Sequence, residues 1–282
     1  MTTDLERPVA IEGRPLANRE AARTAPIVVI GRQRSGTTVF RELLVAAGAF
    51  DAGEIFHRDF MKDRRRFFAK ILALAAENPI AIHPTEYPRI FRSFLGELRA
   101  MAGGRPAAID IKYNALRIVD GGISEGVPAA IRIAAGEGAR FVHLRRENLL
   151  RVQVSLAVAQ ATGRWRETEG QGSIPVSARR VRLDPAGTLQ QVAADAALAR
   201  SVSAWLTHLP HHTLTYETLF EPNGHFAAEA LTVVAALLTP DFVAPTPAMR
   251  QQNPEPIAEL VANFDELVRV FSDTDYAWML EK

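Results

Sequence analysis

The chain has 282 residues, of which 48% are hydrophobic and 23% are charged, and its formal net charge at pH 7 is +1. This length and composition are typical of a globular protein with a large buried core. The small net charge provides no general field for nucleic acid, so no nucleic-acid partner is predicted and any anion site must be local. Because the chain has no cysteine, disulfides, thiol catalysis and thiolate metal sites are excluded.

The distribution of apolar residues predicts no integral membrane segment, since no uninterrupted run reaches about 18 residues. The N-terminus lacks the apolar core of a signal peptide, which favours a cytoplasmic location. Residues 1–24 are polar and contain Pro8 and Gly13, and they are predicted to form a flexible N-terminal arm. Residues 25–282 are predicted to form a single α/β domain. No cluster of His, Asp and Glu suggests a metal site.

The most informative stretch is a strand, a loop and a helix in succession. Pro26–Ile30 is a short apolar run rich in β-branched residues, as expected for a strand that is buried on both faces. The loop of residues 31–38 follows, and then a helical pattern that includes Phe40 and Leu43. Free backbone N–H groups and the positive end of the helix dipole converge in such a loop. Two arginines and three hydroxyls add side-chain donors for phosphate or sulfate oxygens.

The loop nearly matches the nucleotide-binding pattern G-x-x-x-x-G-K-[ST], from Gly31 through Gly36. Thr37 occupies the position of the lysine that normally reaches the β- and γ-phosphates. A polyphosphate donor is therefore disfavoured, whereas a single 5′-phosphate still fits.

Predicted strands alternate with predicted helices, which indicates a doubly wound parallel sheet flanked by helices. Three further strands are predicted at residues 107–111, 140–144 and 212–215. Ligands of such sheets bind beyond the carboxyl ends of the strands. These strands are followed by polar, mostly charged residues, namely Lys112, Arg145, Arg146, Tyr216 and Glu217. We therefore expect the site at this edge of the sheet.

The segments between the strands give the remaining expectations. Asp51–His57 is interpreted as a polar connection, and helices are predicted at Asp59–Ala76 and Tyr87–Met101, which together form a helical insertion over residues 58–102. The basic residues around 58–70 are interpreted as a solvated helix face, with attraction of an anionic acceptor as the alternative. The Gly- and Arg-rich segment of residues 163–187 is long for a connector and predicts a mobile flap.

A second phosphate site is indicated by an arginine at a strand end and Ser155 two turns into the following helix. Arginine supplies a charged fork and serine a hydroxyl donor, so the pair can clamp one phosphate. Arg145 and Arg146 are both candidates for the arginine, and Arg146 is favoured.

These motifs resemble those of sulfotransferases that use 3′-phosphoadenosine 5′-phosphosulfate (PAPS). The family's 5′-phosphosulfate loop reads roughly [RK]-S-G-[TS]-[TS], and residues 34–38 read RSGTT. The 3′-phosphate site of the family pairs an arginine with a serine about eight residues later, whereas Arg146 precedes Ser155 by nine. Residues 216–219, YETL, resemble a common segment of the family, and Arg250 lies where relatives often carry a basic loop near the nucleotide.

The resemblance implies a P-loop-like fold, PAPS as co-substrate and adenosine 3′,5′-bisphosphate as product. Together with the loop chemistry it gives the expected nucleotide-binding residues, which are Arg32, Arg34, Ser35, Gly36, Thr37, Thr38, Arg145, Arg146, Ser155, Tyr216 and Arg250. No catalytic metal is implied.

The expected catalytic residues are Glu54, His57, Arg34 and Lys112. Residues 47–56 resemble the segment after the first helix in bacterial trehalose 2-sulfotransferase and its relatives, which implies that Glu54 is the base and that the protein is a homodimer. The proline that usually precedes this glutamate is missing. His57 is the alternative base, because a neutral imidazole accepts protons near pH 7. Lys112 either assists Arg34 at the sulfonate or extends into solvent.

The resulting expectation is a sulfotransferase that modifies a hydroxyl of a carbohydrate, a glycolipid or a small metabolite. The helical insertion and the flap are expected to contact this acceptor. One alternative is a nucleotide-dependent kinase or NTPase with a degenerate P-loop. The other is a non-catalytic phosphonucleotide-binding protein.

Overall fold

The computed structural model describes residues 24–58, 62–122, 125–165, 174–238, 242–243, 245 and 253–281. The predicted N-terminal arm up to residue 23, residues 166–173 of the predicted flap, and Arg250 lie outside the described residues.

Five parallel strands form one sheet in the order β2-β3-β1-β4-β5. The strands are β1 (Ile27–Gly31), β2 (Phe50–Glu54), β3 (Ala107–Lys112), β4 (Arg140–Arg145) and β5 (His211–Thr215). The predicted α/β class and parallel sheet are confirmed. In the sheet, β2 and β3 lie on one side of β1, whereas β4 and β5 lie on the other side. The strand order therefore reverses at β1. Ligands bind at the carboxyl edge beside such a reversal.

The α-helices of the described residues cover both faces of the sheet. They are α1 (Thr37–Ala46), α2 (Phe67–Glu77), α3 (Tyr87–Ala102), α4 (Ala129–Gly136), α5 (Leu149–Thr162), α6 (Val176–Arg179), α7 (Pro185–Leu206), α8 (Ala228–Leu237), α9 (Ile257–Leu260) and α10 (Phe264–Phe271). Short 3₁₀ turns are Pro79–Ile82, Pro84–Glu86, Tyr113–Ala115, Tyr216–Thr218 and Ala277–Leu280. Among the described residues no helix has the length and apolar character needed to cross a membrane.

Alternation along β1 explains why the sheet is doubly wound. Val28 and Ile30 pack on the face covered by α2, α3 and α4, whereas Ile27 and Val29 pack on the face covered by α1 and α8. Both faces of the strand are thus buried, which requires the continuous apolar run seen in the sequence. A third apolar cluster joins α5 to α7, α9 and α10.

Two sequence-based interpretations of the connections are wrong. The segment interpreted as a polar connection contains β2, an edge strand. The helix predicted from residue 59 begins at Phe67. Near the end of the chain, α9 and α10 are separate helices, because Val261 between them forms a parallel bridge with Val181.

The C-terminal part of the predicted flap is anchored to the body of the protein. Val181 is buried, its N–H donates to Leu260 O at 2.8 Å and its carbonyl accepts from Ala262 N at 2.8 Å. Residues 185–187 already belong to α7.

Candidate active site

The loop after β1 is shaped to receive an anion at the start of α1. Gly36 precedes the helix with φ +83°, a left-handed conformation that glycine adopts without a steric penalty. A Cβ atom there would lie 2.8 Å from the ring of Tyr216, so glycine is also required by packing. No described side chain caps this helix end, which leaves its first N–H groups to a ligand.

The first glycine of the loop permits close packing at the end of β1. A Cβ atom on Gly31 would lie 2.6 Å from the carbonyl oxygen of Leu144 and 2.6 Å from the methyl group of Thr37. The loop therefore lies directly against β4 and α1. Ser35, whose hydroxyl donates to Arg32 O at 2.6 Å, closes the turn.

Arg34 joins the two phosphate sites that were predicted separately. Its Nε donates to Ser155 Oγ at 3.0 Å, and its Nη1 donates to Trp165 O at 2.7 Å. Its backbone has φ +69°, which is uncommon for a residue with a side chain. Burial, and then the charge of Arg146, lower the pKa of the Arg34 guanidinium. Two guanidinium groups held this close favour the binding of an anion between or beside them.

Arg146 supports the loop from the other side. Its Nη1 donates to Arg34 O at 2.8 Å, its guanidinium lies 4.4 Å from the centre of the Tyr216 ring, and its side chain is only 8% exposed. Glu217 lies 3.9 Å from its Nε. The structure thus brings Arg146, and not Arg145, to the loop.

Arg145 instead ends β4 on the face of that strand that contains His143. The Tyr113 hydroxyl lies 2.6 Å from Nε2 of His143, which is fully buried. Burial raises the pKa of Tyr113 and lowers the pKa of His143 to about 3, and the charge of Arg145 acts on both groups.

Ser155 has a second polar neighbour that the sequence did not indicate. Asn253 is buried and its Nδ2 lies 3.4 Å from Ser155 Oγ, while Arg151 Nη1 donates to the Asn253 carbonyl at 3.0 Å. This neighbour comes three residues after Arg250, which lies outside the described residues.

The amino end of α5 is already occupied by a carboxylate. Glu217 accepts hydrogen bonds from the backbone N–H groups of Glu147 at 3.1 Å and Asn148 at 3.3 Å. Asn148 Oδ1 in turn accepts from the Arg151 N–H at 2.9 Å and caps the helix.

Arg32 does not point into the site. Its Nε donates to Asp195 on α7 at 2.9 Å, and the same carboxylate accepts from Gln153 at 2.9 Å and Gln191 at 3.1 Å. Arg32 thereby ties the loop to α5 and α7. No feature of the sequence marked Asp195 as its partner, since the two residues are 163 positions apart.

Beside the loop lies a cavity of about 710 Å³, most of whose lining residues are polar or charged. It is lined by Gln33, Arg34, Thr38, Arg41, Asp51, Gly53, Glu54, His57, Asp63, Arg65, Arg66, Asp110, Lys112 and Trp165. Its volume is in the range of small-molecule and cofactor sites. The residues predicted as catalytic, Glu54, His57, Arg34 and Lys112, all lie on its wall.

Lys112 does not extend into solvent, because the residue is only 5% exposed. Its Nζ contacts the Thr37 hydroxyl and lies 2.7 Å from Asp110 Oδ2 and 3.9 Å from Glu54 Oε2. The ammonium is therefore beside the residue that occupies the lysine position of the nucleotide-binding pattern. A neighbouring strand supplies the charge that the loop lacks.

Glu54 ends β2 and is partly shielded from water, with its side chain 28% exposed. Burial raises the pKa of its carboxyl group, while the positive charge of Lys112 acts in the opposite direction. A raised pKa brings a carboxylate closer to the range in which general bases operate. His57 lines the same cavity, so both predicted bases remain candidates by position.

The same cavity is lined by two arginines that were interpreted as part of a solvated helix face. That interpretation is wrong for Arg65 and Arg66, which precede α2 and turn toward β2. Their guanidinium groups donate to Asp51 O at 3.2 Å and Ala52 O at 3.0 Å, respectively. Asp63 binds Arg65 at 2.9 Å. These two side chains thus bind carbonyl groups of the edge strand β2.

Metal ligands are not grouped in the part of the chain that the structure describes, where no three His, Asp or Glu side chains could hold one ion. The site instead consists of guanidinium, ammonium, hydroxyl and carboxylate groups.

No protein-family model matches this chain, and no curated protein matches it. Among solved structures, the chain is similar to the "Sulfotransferase Domain from the Curacin Biosynthetic Pathway". The sequence identity is 15%, the TM-score is 0.40, and the alignment covers 91% of this chain and 82% of that one. A similarity of this size does not assign a family or a function.

Proposed function

We propose that this protein is a PAPS-dependent sulfotransferase that acts on a hydroxyl group. The observation that carries the proposal is the Arg34–Ser155 contact, with Arg146 bound to the Arg34 carbonyl. Through this contact, the side chain of Arg34 links the uncapped start of α1, which follows Gly36, to a second group of anion-binding residues that includes Ser155. A nucleotide with a 5′-phosphosulfate and a 3′-phosphate matches two such neighbouring anion sites.

In this proposal the donor is bound by two groups of residues. The N–H groups at the start of α1 and the hydroxyls of Thr37 and Thr38 hold the 5′-phosphosulfate. Ser155 and the guanidinium groups of Arg34 and Arg146 hold the 3′-phosphate. Tyr216 contributes indirectly, because its ring packs against Gly36 and Arg146.

The reaction is an in-line transfer of the sulfuryl group. The acceptor oxygen forms a bond to sulfur as the bond from sulfur to the 5′-phosphate oxygen breaks, and the bonding electrons leave with adenosine 3′,5′-bisphosphate. The acceptor hydroxyl gives its proton to Glu54. Lys112 stabilises charge on the transferring and leaving oxygens. Positioning and charge stabilisation supply most of the rate enhancement.

The acceptor binds in the polar cavity bounded by Glu54, Arg65 and Arg66. A carbohydrate, a glycolipid headgroup or a small polar metabolite suits a wall of carboxylates and guanidinium groups. A homodimer also remains part of the proposal, on the sequence resemblance.

A kinase or NTPase is the second candidate, and the Lys112 ammonium beside Thr37 favours it. This ammonium could meet a terminal phosphate in place of the missing loop lysine. However, a kinase or NTPase needs a carboxylate for magnesium, and Asp110, the carboxylate nearest to Lys112, is buried and held by that ammonium. The sulfotransferase therefore accounts for more of the site.

A thermal-shift titration distinguishes these functions. We expect adenosine 3′,5′-bisphosphate to raise the melting temperature strongly at concentrations where Mg-ATP and adenosine 5′-phosphate have little effect, because only the first ligand fills both anion sites. The second arm measures transfer of ³⁵S from PAPS to a panel of sugars, glycolipids and small alcohols. A stronger response to Mg-ATP would reject the sulfotransferase, and tight binding without transfer to any acceptor would favour the non-catalytic binding protein.

A further inference from the structure

Asp110 is a buried carboxylate that the proposed mechanism does not use. The residue is 1% exposed; its Oδ2 accepts from Lys112 Nζ at 2.7 Å, and its Oδ1 is buried without a hydrogen-bond partner among the described residues. Burying such a group costs stability. A costly buried charge at the wall of a cavity indicates a functional reason for its presence.

The strand register places Asp110 beside Glu54 and on the same face of the sheet as Lys112. Asp110 and Lys112 are two positions apart on β3, so their side chains leave the same face of the sheet. Asp110 is the register partner of Glu54 on β2, and Lys112 is the partner of Gly31 on β1. This face is the one covered by α1, which begins with Thr37. The carboxylate is therefore next to the base on one side and holds the ammonium on the other.

We propose that Asp110 is a positioning residue that fixes the Lys112 ammonium between the donor loop and Glu54. Lysine has a flexible stem and no preferred direction for its charge. With one carboxylate at 2.7 Å and another at 3.9 Å, the ammonium would otherwise move toward Glu54 and neutralise the base. Asp110 keeps it on Thr37, where it meets the transferring group. This inference rests on the proposed function.

The charge of Asp110 also acts on Glu54 directly. Burial raises the pKa of Glu54 most, Lys112 lowers it, Asp110 raises it, and His57 and Arg66 lower it. Removing the Asp110 charge therefore moves the Glu54 pKa downward, and a Lys112 ammonium released toward Glu54 moves it further in the same direction. The acid side of the pH–rate profile reports this change, since the base must be unprotonated.

The experiment compares Asp110→Asn with Asp120→Asn, the same chemical change at a carboxylate that receives the Ala129 N–H at 3.0 Å and does not line the cavity. We expect Asp110→Asn to lower kcat by about 10²-fold, because small displacements of catalytic groups have effects of this size. The acid limb of the pH–rate profile of Asp110→Asn should shift to lower pH. Asp120→Asn changes stability without shifting the limb. A merely structural Asp110 would reduce the amount of folded protein and leave the pH profile in place.

A double variant covers the case in which Asp110→Asn does not fold. Lys112→Met alone leaves a buried, uncompensated carboxylate, so we expect a lower melting temperature than for the wild type. Asp110→Asn with Lys112→Met removes both charges at similar volume and is expected to melt at or above the wild-type temperature. Its kcat should equal that of Lys112→Met. An additional loss of kcat in the double variant would overturn the inference.

A crystal structure of Asp110→Asn, or of Asp110→Asn combined with Lys112→Arg if the single variant does not fold, separates this inference from the proposed function. We expect the cation at position 112 to leave Thr37 and move toward Glu54. If it stays on Thr37, the positioning role is wrong even for an active sulfotransferase. If the wild type transfers no sulfate, the proposed function fails, and the position of this cation still decides whether Asp110 holds it.

Discussion

Replacing Glu54 with Gln is expected to lower kcat by about 10²- to 10⁴-fold, the range that general-base catalysis contributes. The amide keeps the volume and polarity of the side chain but cannot accept the acceptor's proton. Because the proposed mechanism uses Glu54 for the acceptor and not for the donor, the affinity for adenosine 3′,5′-bisphosphate should change by less than about threefold. The rate is measured as ³⁵S transfer from PAPS, and the affinity by calorimetry.

His57→Gln is the matched test of the rival base. If Glu54 is the base, His57→Gln retains most of the rate and retains the acid limb of the pH profile. That limb lies above the ordinary range of glutamate, since burial raises the pKa of Glu54; activity falls as the pH drops through this value. In Glu54→Gln the limb disappears from the residual rate. A large loss in His57→Gln with an active Glu54→Gln would assign the base to histidine.

Replacing Arg34 with Gly should lower the affinity for adenosine 3′,5′-bisphosphate by about 10- to 100-fold, the loss expected when charge-assisted hydrogen bonds are removed. Glycine adopts the left-handed backbone of this position without strain, so the loop keeps its shape while the guanidinium is removed. Arg34→Ala removes the same guanidinium but keeps a Cβ atom in the left-handed conformation, so it should melt at a lower temperature than Arg34→Gly. Calorimetric titration with the bisphosphate gives both affinities.

Ser155→Ala provides the specific comparison for this prediction. Both Arg34→Gly and Ser155→Ala should reduce the preference for adenosine 3′,5′-bisphosphate over adenosine 5′-phosphate, because the two residues meet at the proposed 3′-phosphate site. Arg64→Ala, at an exposed arginine outside the cavity lining, removes the same charge and should leave the preference intact. An equal loss of this preference in all three variants would mean that it reflects the overall positive charge of the protein and not a specific contact with the 3′-phosphate.

The central strands and their loop were predictable because their local pattern is strong. A strand buried on both faces needs a continuous apolar run, and Ile27–Gly31 has one. The edge strand Phe50–Glu54 has no such pattern, since an edge strand with one covered face can contain Asp51 and Gly53. Its pairing with β3 is a long-range event. Glu54 was therefore identified by resemblance and not as a strand end.

Side-chain partners could be predicted only where they share a strand end. Lys112 was expected near the loop because parallel strands end at one edge. Other contacts join residues that are far apart in the sequence. The separation is 75 positions for Lys112 and Thr37, 163 for Arg32 and Asp195, and 98 for Ser155 and Asn253. The last two depend on how α5 and α7 pack against the sheet. The inward turn of Arg65 and Arg66 similarly follows from edge-strand carbonyls that the sequence pattern did not reveal.

A crystal structure with adenosine 3′,5′-bisphosphate tests the pairing of the two anion sites most directly. We expect the 5′-phosphate within about 3 Å of the N–H groups at the start of α1 and the 3′-phosphate at a similar distance from Ser155 Oγ. The free 5′-phosphate oxygens should face Lys112 and the cavity that contains Glu54. A nucleotide with only one phosphate on these residues, or bound with its 5′ end directed away from Glu54, would contradict the account.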